Sequence, residues 1–148
     1  MRRRSPSAPS APAAFDGLGL PGFSAASYDA TVAKGSQRRL ILSIVATDSS
    51  FERVTLRGGE AWQGSCIHCR RRLLIGLQGE PLGAVTIEHI LPRRHGGSDE
   101  LANLALACAR CNHQKGYRLD DRRADDPVLL RVIQTLRARR IARWRDPR

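Results

Sequence analysis

The sequence predicts a small α+β domain stapled by a tetrahedral metal site, with a basic helix behind it. Three observations predict this. Two Cys-x2-Cys pairs, Cys66/Cys69 and Cys108/Cys111, stand 38 residues apart. Short apolar and β-branched runs, punctuated by glycine, lie around and between them. The last segment is arginine-rich with helical apolar spacing. Paired thiolates at this spacing are the usual grip on zinc and a poor match to a disulfide framework. Four thiolates close a tetrahedron and leave no position for water, so the ion would be structural. With 148 residues and 5% aromatics, the chain is short of large core side chains, so a staple would add what the core lacks. A zinc–thiolate site also implies a reducing compartment, hence a cytoplasmic location.

Each element follows in order. Residues 1–35 read as a disordered Ser/Ala/Pro-rich tail, because Ser5–Ala14 contains only those three types and cannot bury enough surface to offset its ordering entropy. Its arginines at 2–4 are not followed by the apolar stretch of a secretory signal, and its basic, acid-poor start only faintly resembles a transit peptide. Residues 36–61 read as an extension packing on the core. There Leu40–Val45 is apolar but too short for periodicity to separate strand from helix, and Val54–Leu56 and Ala61–Trp62 read as short strands. Residues 62–119 form the expected core: a strand at Leu73–Leu77, a turn at Gly79–Gly83, and a β-branched strand at Val85–Ile87 that delivers Glu88 and His89. A loop from Pro92 to Asp99 follows, then Leu104–Ala107 leading into the second cysteine pair, and a short helix starting near Cys111. Residues 127–146 read as an amphipathic helix opened by Pro127. Its apolar face would carry Leu129, Leu130, Ile133, Leu136, Ile141 and Trp144, with Arg131, Arg139, Arg140 and Arg143 mainly elsewhere.

Charge narrows the partner. The formal net charge is +11, and all but two of the 25 basic residues are arginine. Such an excess argues for a polyanion, with nucleic acid ahead of an anionic membrane. No apolar run approaches the ~20 residues needed to span a bilayer. The C-terminal segment serves either as a docking helix with a solvated face or as a DNA-backbone clamp, and one helix could do both.

The ordered set Ile87-Glu88-His89-Ile90-Leu91-Pro92, Gly96-Gly97-Ser98-Asp99, Asn103-Leu104 and Cys108-x2-Cys111-Asn112-x2-Lys115 resembles the HNH endonuclease family, the zinc-containing type of the ββα-metal (His-Me finger) fold. The resemblance covers roughly residues 62–119. It implies a metal-dependent DNA endonuclease leaving 5′-phosphate and 3′-hydroxyl ends, with a non-catalytic zinc-knuckle DNA-binding module as the alternative. It implies His89 as the general base, Glu88 as an acidic ligand of the catalytic divalent ion, and Asn103 as a brace that orients the His89 loop. Asn112 would be the other metal ligand; many relatives carry histidine there, and His113 is the less favoured substitute because adjacent helical residues point about 100° apart. Lys115 would contact phosphate. Cys66, Cys69, Cys108 and Cys111 would hold structural Zn²⁺, with His68 superfluous as a fifth candidate.

The chemistry supports such a set. A positioned base supplies about 10²–10⁴-fold, far below what phosphodiester hydrolysis needs, so a hard cation must stabilise the developing charge. Glu and Asn oxygens suit Mg²⁺ or Mn²⁺. Arg93, Arg94, Arg70, Arg139 and Arg140 are the remaining DNA-contact candidates. Trp62 and Trp144 read as packing residues, and His95 as a loop histidine beside Arg93-Arg94. One site per chain implies nicking, with a dimer required for a double-strand cut.

Overall fold

The computed structural model describes residues 25–147, with side chains from Lys34 onward. Helix α1 spans Ala25–Thr47. It therefore takes in residues 25–35, which composition had assigned to the tail; residues 1–24 lie outside the described residues. The undecided run Leu40–Val45 is helical because Ile41, Ile44 and Val45 recur at i, i+3 and i+4 and are buried on one face.

Strands β1 (Glu52–Leu56), β2 (Gly59–Ser65) and β3 (Arg72–Gly76) form an antiparallel meander. β4 (Val85–His89) pairs antiparallel with β5 (Leu104–Cys108), with Glu88 opposite Ala105 and His89 opposite Leu104. Helix α2 (Ala109–Lys115) follows without a loop and runs into a single π-turn, Gly116–Asp120. Together β4, β5 and α2 make a ββα unit. All five residues of β5 are buried, which explains their apolar run. The core joins α1, Phe51, β3, Ile90, β5 and one face of the last helix.

That last helix, α3, runs from Pro127 to Arg143, and Asp126 caps it by accepting from Val128 N and Leu129 N. Its buried stripe is Leu129, Ile133, Leu136 and Arg140. This corrects the expected face: Leu130, Ile141 and Trp144 are exposed, and an arginine completes the stripe. The reason lies in α1. A helix leaves its last carbonyls without partners, and here Arg140 and Arg145 supply them. Arg140 Nη1 donates to Thr47 O at 3.0 Å and Nη2 to Thr47 Oγ1 at 2.6 Å. Arg145 donates to Ala46 O and Val45 O at 3.0 and 2.9 Å. Cations at a helix C-terminus are also favoured by its dipole.

Candidate metal centre and active cleft

The four cysteine sulfurs lie within 4.8 Å of one another. Zn–S bonds of about 2.3 Å give a tetrahedron with S···S edges of about 3.8 Å, and Cys69 Sγ and Cys108 Sγ are 3.8 Å apart. The cluster could therefore hold a structural metal such as zinc. Cys108 N–H donates to Cys66 Sγ at 3.3 Å. The Arg71 amide helps bring the Cys69 thiol down to about 7, whereas burial pushes the Cys66 and Cys111 thiols up. Metal binding would have to displace protons from the latter two. Arg70 adopts a left-handed backbone (φ 62°) as the first knuckle turns.

Two further arginines grip that knuckle from α3. Arg139 Nη1 donates to Ile67 O and His68 O at 3.0 and 2.8 Å, and Arg143 Nη1 donates to Ser65 O at 2.9 Å. Arg140, 1% exposed, is enclosed between α1 and Leu101. Arg139 and Arg140 were candidates for DNA contact; the structure uses Arg140 as an internal tie and Arg139 as a knuckle clamp. Backbone carbonyls, absent from any side-chain pattern, are what recruit them.

Next to this centre lies an open cleft of about 460 Å³, lined among others by Glu88, His89, Arg93, Arg94, Asn112 and Asp120. Strand alternation separates the two neighbours on β4. Glu88 turns inward, 1% exposed, with Oε1 2.6 Å from Lys115 Nζ and Oε2 3.0 Å from His68 Nε2. His68 is thus directed to Glu88, not to the cysteine cluster. Lys115, expected at phosphate, is 3% exposed; its ammonium lies 3.1 Å from Asp120 Oδ1 and donates to His89 O at 3.0 Å. A lone buried carboxylate would be prohibitively desolvated, and each cysteine pair sends it one partner: His68 from within the first, Lys115 four residues after Cys111.

His89 turns outward. Its Nε2 lies 2.7 Å from Asp99 Oδ1 and 3.1 Å from Arg93 Nε. One protonation state cannot serve both: Nε2 accepts from Arg93 when bare and donates to Asp99 when protonated. His89 and Arg93 together hold the exposed Asp99 carboxyl below the usual carboxylate range. Asp99 sits in the motif, but spacing gave it no role; only the turn of the loop carries it to His89.

Asn103 fastens that loop. Its Oδ1 accepts from Leu91 N at 2.8 Å, and its Nδ2 donates to Ser98 O and Leu91 O at 2.8 and 3.1 Å. Gly97 must be small here, since a Cβ would run into Leu91 O. Asn112, not His113, lines the cleft; its Nδ2 donates to Thr86 Oγ1 and Ile87 O at 2.9 and 3.0 Å, which leaves Oδ1 for another partner. His113 is on the outer surface against Tyr117. Arg93 and Arg94 are exposed at the rim, paired with Asp99 and Asp121 respectively.

A histidine at a strand tip, a braced loop, an asparagine on the following helix and a cluster of four cysteines now stand in one ββα frame. Residues 66–118 match the HNH endonuclease family model. No curated protein and no solved structure matches the chain. The family match covers 53 of the 148 residues, and α1, β1, β2 and α3 lie outside it. Among the described residues, no helix is long and apolar enough to cross a membrane.

The donor set of this cleft fits a hard divalent ion in part. Asn112 offers a free oxygen. Glu88 Oε1 receives no well-directed hydrogen bond although Lys115 Nζ is only 2.6 Å away. The short distance defines a charge pairing, and an ion at Oε1 would share that oxygen with the ammonium.

Proposed function

We propose that the protein is a metal-dependent DNA endonuclease that hydrolyses phosphodiester bonds with His89 as general base. The observation that carries this is the outward-facing His89 in a cleft it shares with Asn112 and two rim arginines. Bare Nε2, whose single lone pair accepts the Arg93 N–H, takes a proton from the attacking water once Arg93 turns from it toward the approaching phosphate. Once protonated, it has the Asp99 carboxylate at 2.7 Å to stabilise the imidazolium. Asn103 keeps the loop, and with it Asp99, in register with His89. Arg93 and Arg94 supply positive charge where a phosphate backbone would approach.

Asn112 and Glu88 would hold Mg²⁺ or Mn²⁺, which when bound polarises the phosphoryl oxygen and takes up charge on the leaving oxygen. The four cysteines would hold Zn²⁺ with no open position, a structural role only. A thiolate site of this kind also fits a reducing compartment such as the cytosol. One cleft per chain supports nicking of one strand, and double-strand cutting would need a dimer.

The second reading, a zinc-knuckle DNA-binding module without catalysis, is favoured by one observation: Lys115 already neutralises Glu88. Incubation with supercoiled plasmid in Mg²⁺, Mn²⁺ or Zn²⁺ separates the two. The nuclease reading expects relaxed circles with Mg²⁺ or Mn²⁺, and none from His89→Ala, which keeps its zinc and its DNA affinity. Equal cleavage by both proteins would remove His89 from the mechanism. Binding without cleavage by the wild type would establish the second reading.

A further inference from the structure

Tyr117 is 78% exposed, the most solvent-open large hydrophobic side chain among the described residues. Its ring stacks against His113 with centroids 6.4 Å apart and planes 10° from parallel. One face of α2 and its π-turn carries Arg110, His113, Gln114, Tyr117 and Arg118, none of them buried and none acidic. Among the described residues, neither Arg110 nor Arg118 has an ion-pair partner, unlike Arg93, Arg94, Arg122 and Arg123. The ridge abuts the cleft, because Asn112 and Gly116, each adjacent in sequence to one of the stacked rings, line it. The π-turn at this position fits the tendency of such turns to occur at functional sites.

We propose that this ridge binds DNA bearing an unpaired nucleotide, with Tyr117 stacking on the exposed base and Arg110 and Arg118 on the flanking phosphates. An aromatic face gains nothing from an intact duplex, whose base faces are already covered by their neighbours. It gains from single strands, ends, bubbles or flipped bases, and is tolerant of sequence because every base has a π-face. Cationic flanks without a carboxylate complete the fit to a polyanion. The proposal rests on the nucleic-acid reading of the cleft and names the substrate class: DNA unpaired beside the cut.

The test is equilibrium binding of the full, zinc-loaded chain to a fluorescent single strand of about 12 nucleotides, within the span one such binding site covers, and to a fully paired duplex of matched sequence, without Mg²⁺ or Mn²⁺. No catalytic step enters, so failure here and failure of the nuclease reading are separable. Tyr117→Ala is expected to weaken single-strand binding about tenfold or more, the worth of one stacked base, and to leave duplex binding within about twofold. Tyr117→Phe should bind as wild type. Since Tyr117 is so exposed, unchanged melting of both variants is expected. Equal weakening on both probes, no weakening on either, or a wild type that binds only the duplex overturns the proposal.

Discussion

Replacement of Arg140 by methionine keeps the aliphatic stem and removes the guanidinium. In the wild type that group is 1% exposed, donates to Thr47 O, Thr47 Oγ1 and Leu101 O, and lies over the Trp144 ring at 4.8 Å. Burial holds its pKa below the usual arginine value, opposed by the charge of Asp48, itself only 1% exposed. Thr47 O keeps a bond from Arg145 N and Leu101 O one from Leu104 N, so neither carbonyl is orphaned. The larger loss is the charge-assisted hydrogen bonds of the guanidinium, at about 1.5–3 kcal/mol each and so about 3–5 kcal/mol together, with the nearby Asp48 charge losing its cation as well. That is a large share of the ~5–15 kcal/mol by which a domain is stable. With a urea slope of about 1–3 kcal/mol/M, the midpoint should fall by about 2 M. The exposed Arg137 on the same helix is the control, and Arg137→Met should shift stability by no more than about 0.5 kcal/mol. Far-UV circular dichroism at buffered free zinc reads both without interference from Trp144. Equal midpoints for the two variants would refute the internal-tie role and return Arg140 to the solvated face.

Two further outcomes follow from the staple and the cap. Cys108→Ser should lose its zinc and the folded 62–119 region together, because binding at such sites is worth roughly 10–16 kcal/mol; a soluble, cooperatively folding, zinc-free variant would contradict this. Asp126→Asn tests pH linkage. The Leu129 amide leads the groups that hold the Asp126 carboxyl below its ordinary value. A depressed carboxyl contributes stability that is present above its unfolded pKa and lost only as pH falls through the folded value. The stability gap between wild type and Asp126→Asn should therefore stay flat from about pH 7.5 to about pH 5.5, above the ordinary carboxylate range, measured by urea titration at each pH. Below about pH 4 the gap should change as the carboxyl takes up its proton, and a gap that stays constant there would mean the carboxyl is not depressed.

The motif residues and their spacing were legible because local rules govern them. Val85–Ile87 is β-branched, so β4 delivers Glu88 and His89 at its end; Cys-x2-Cys spacing brings four sulfurs together; Pro127 after an aspartate opens α3. The run Leu40–Val45 was ambiguous in a short window, and only its packing on β5 and α3 resolved it as helix. The arginines of α3 misled, since a count of charges on a helical wheel treats every arginine as solvated. A guanidinium with a long stem can instead cross the interior to carbonyls that another helix leaves open.

Cysteine spacing, strand chemistry and the ordered acid–histidine–asparagine set by themselves determined that this chain gathers four thiols able to hold a metal beside a ββα unit in residues 66–118. Tertiary structure alone decided which way those side chains turn. Glu88 went inward to Lys115 and His68, and His89 outward to Asp99. A strand fixes only that neighbours face opposite sides; which side is dry depends on what packs there, and here Lys115 of α2 and His68 of the first cysteine knuckle enclose Glu88, while His89 lines the open cleft.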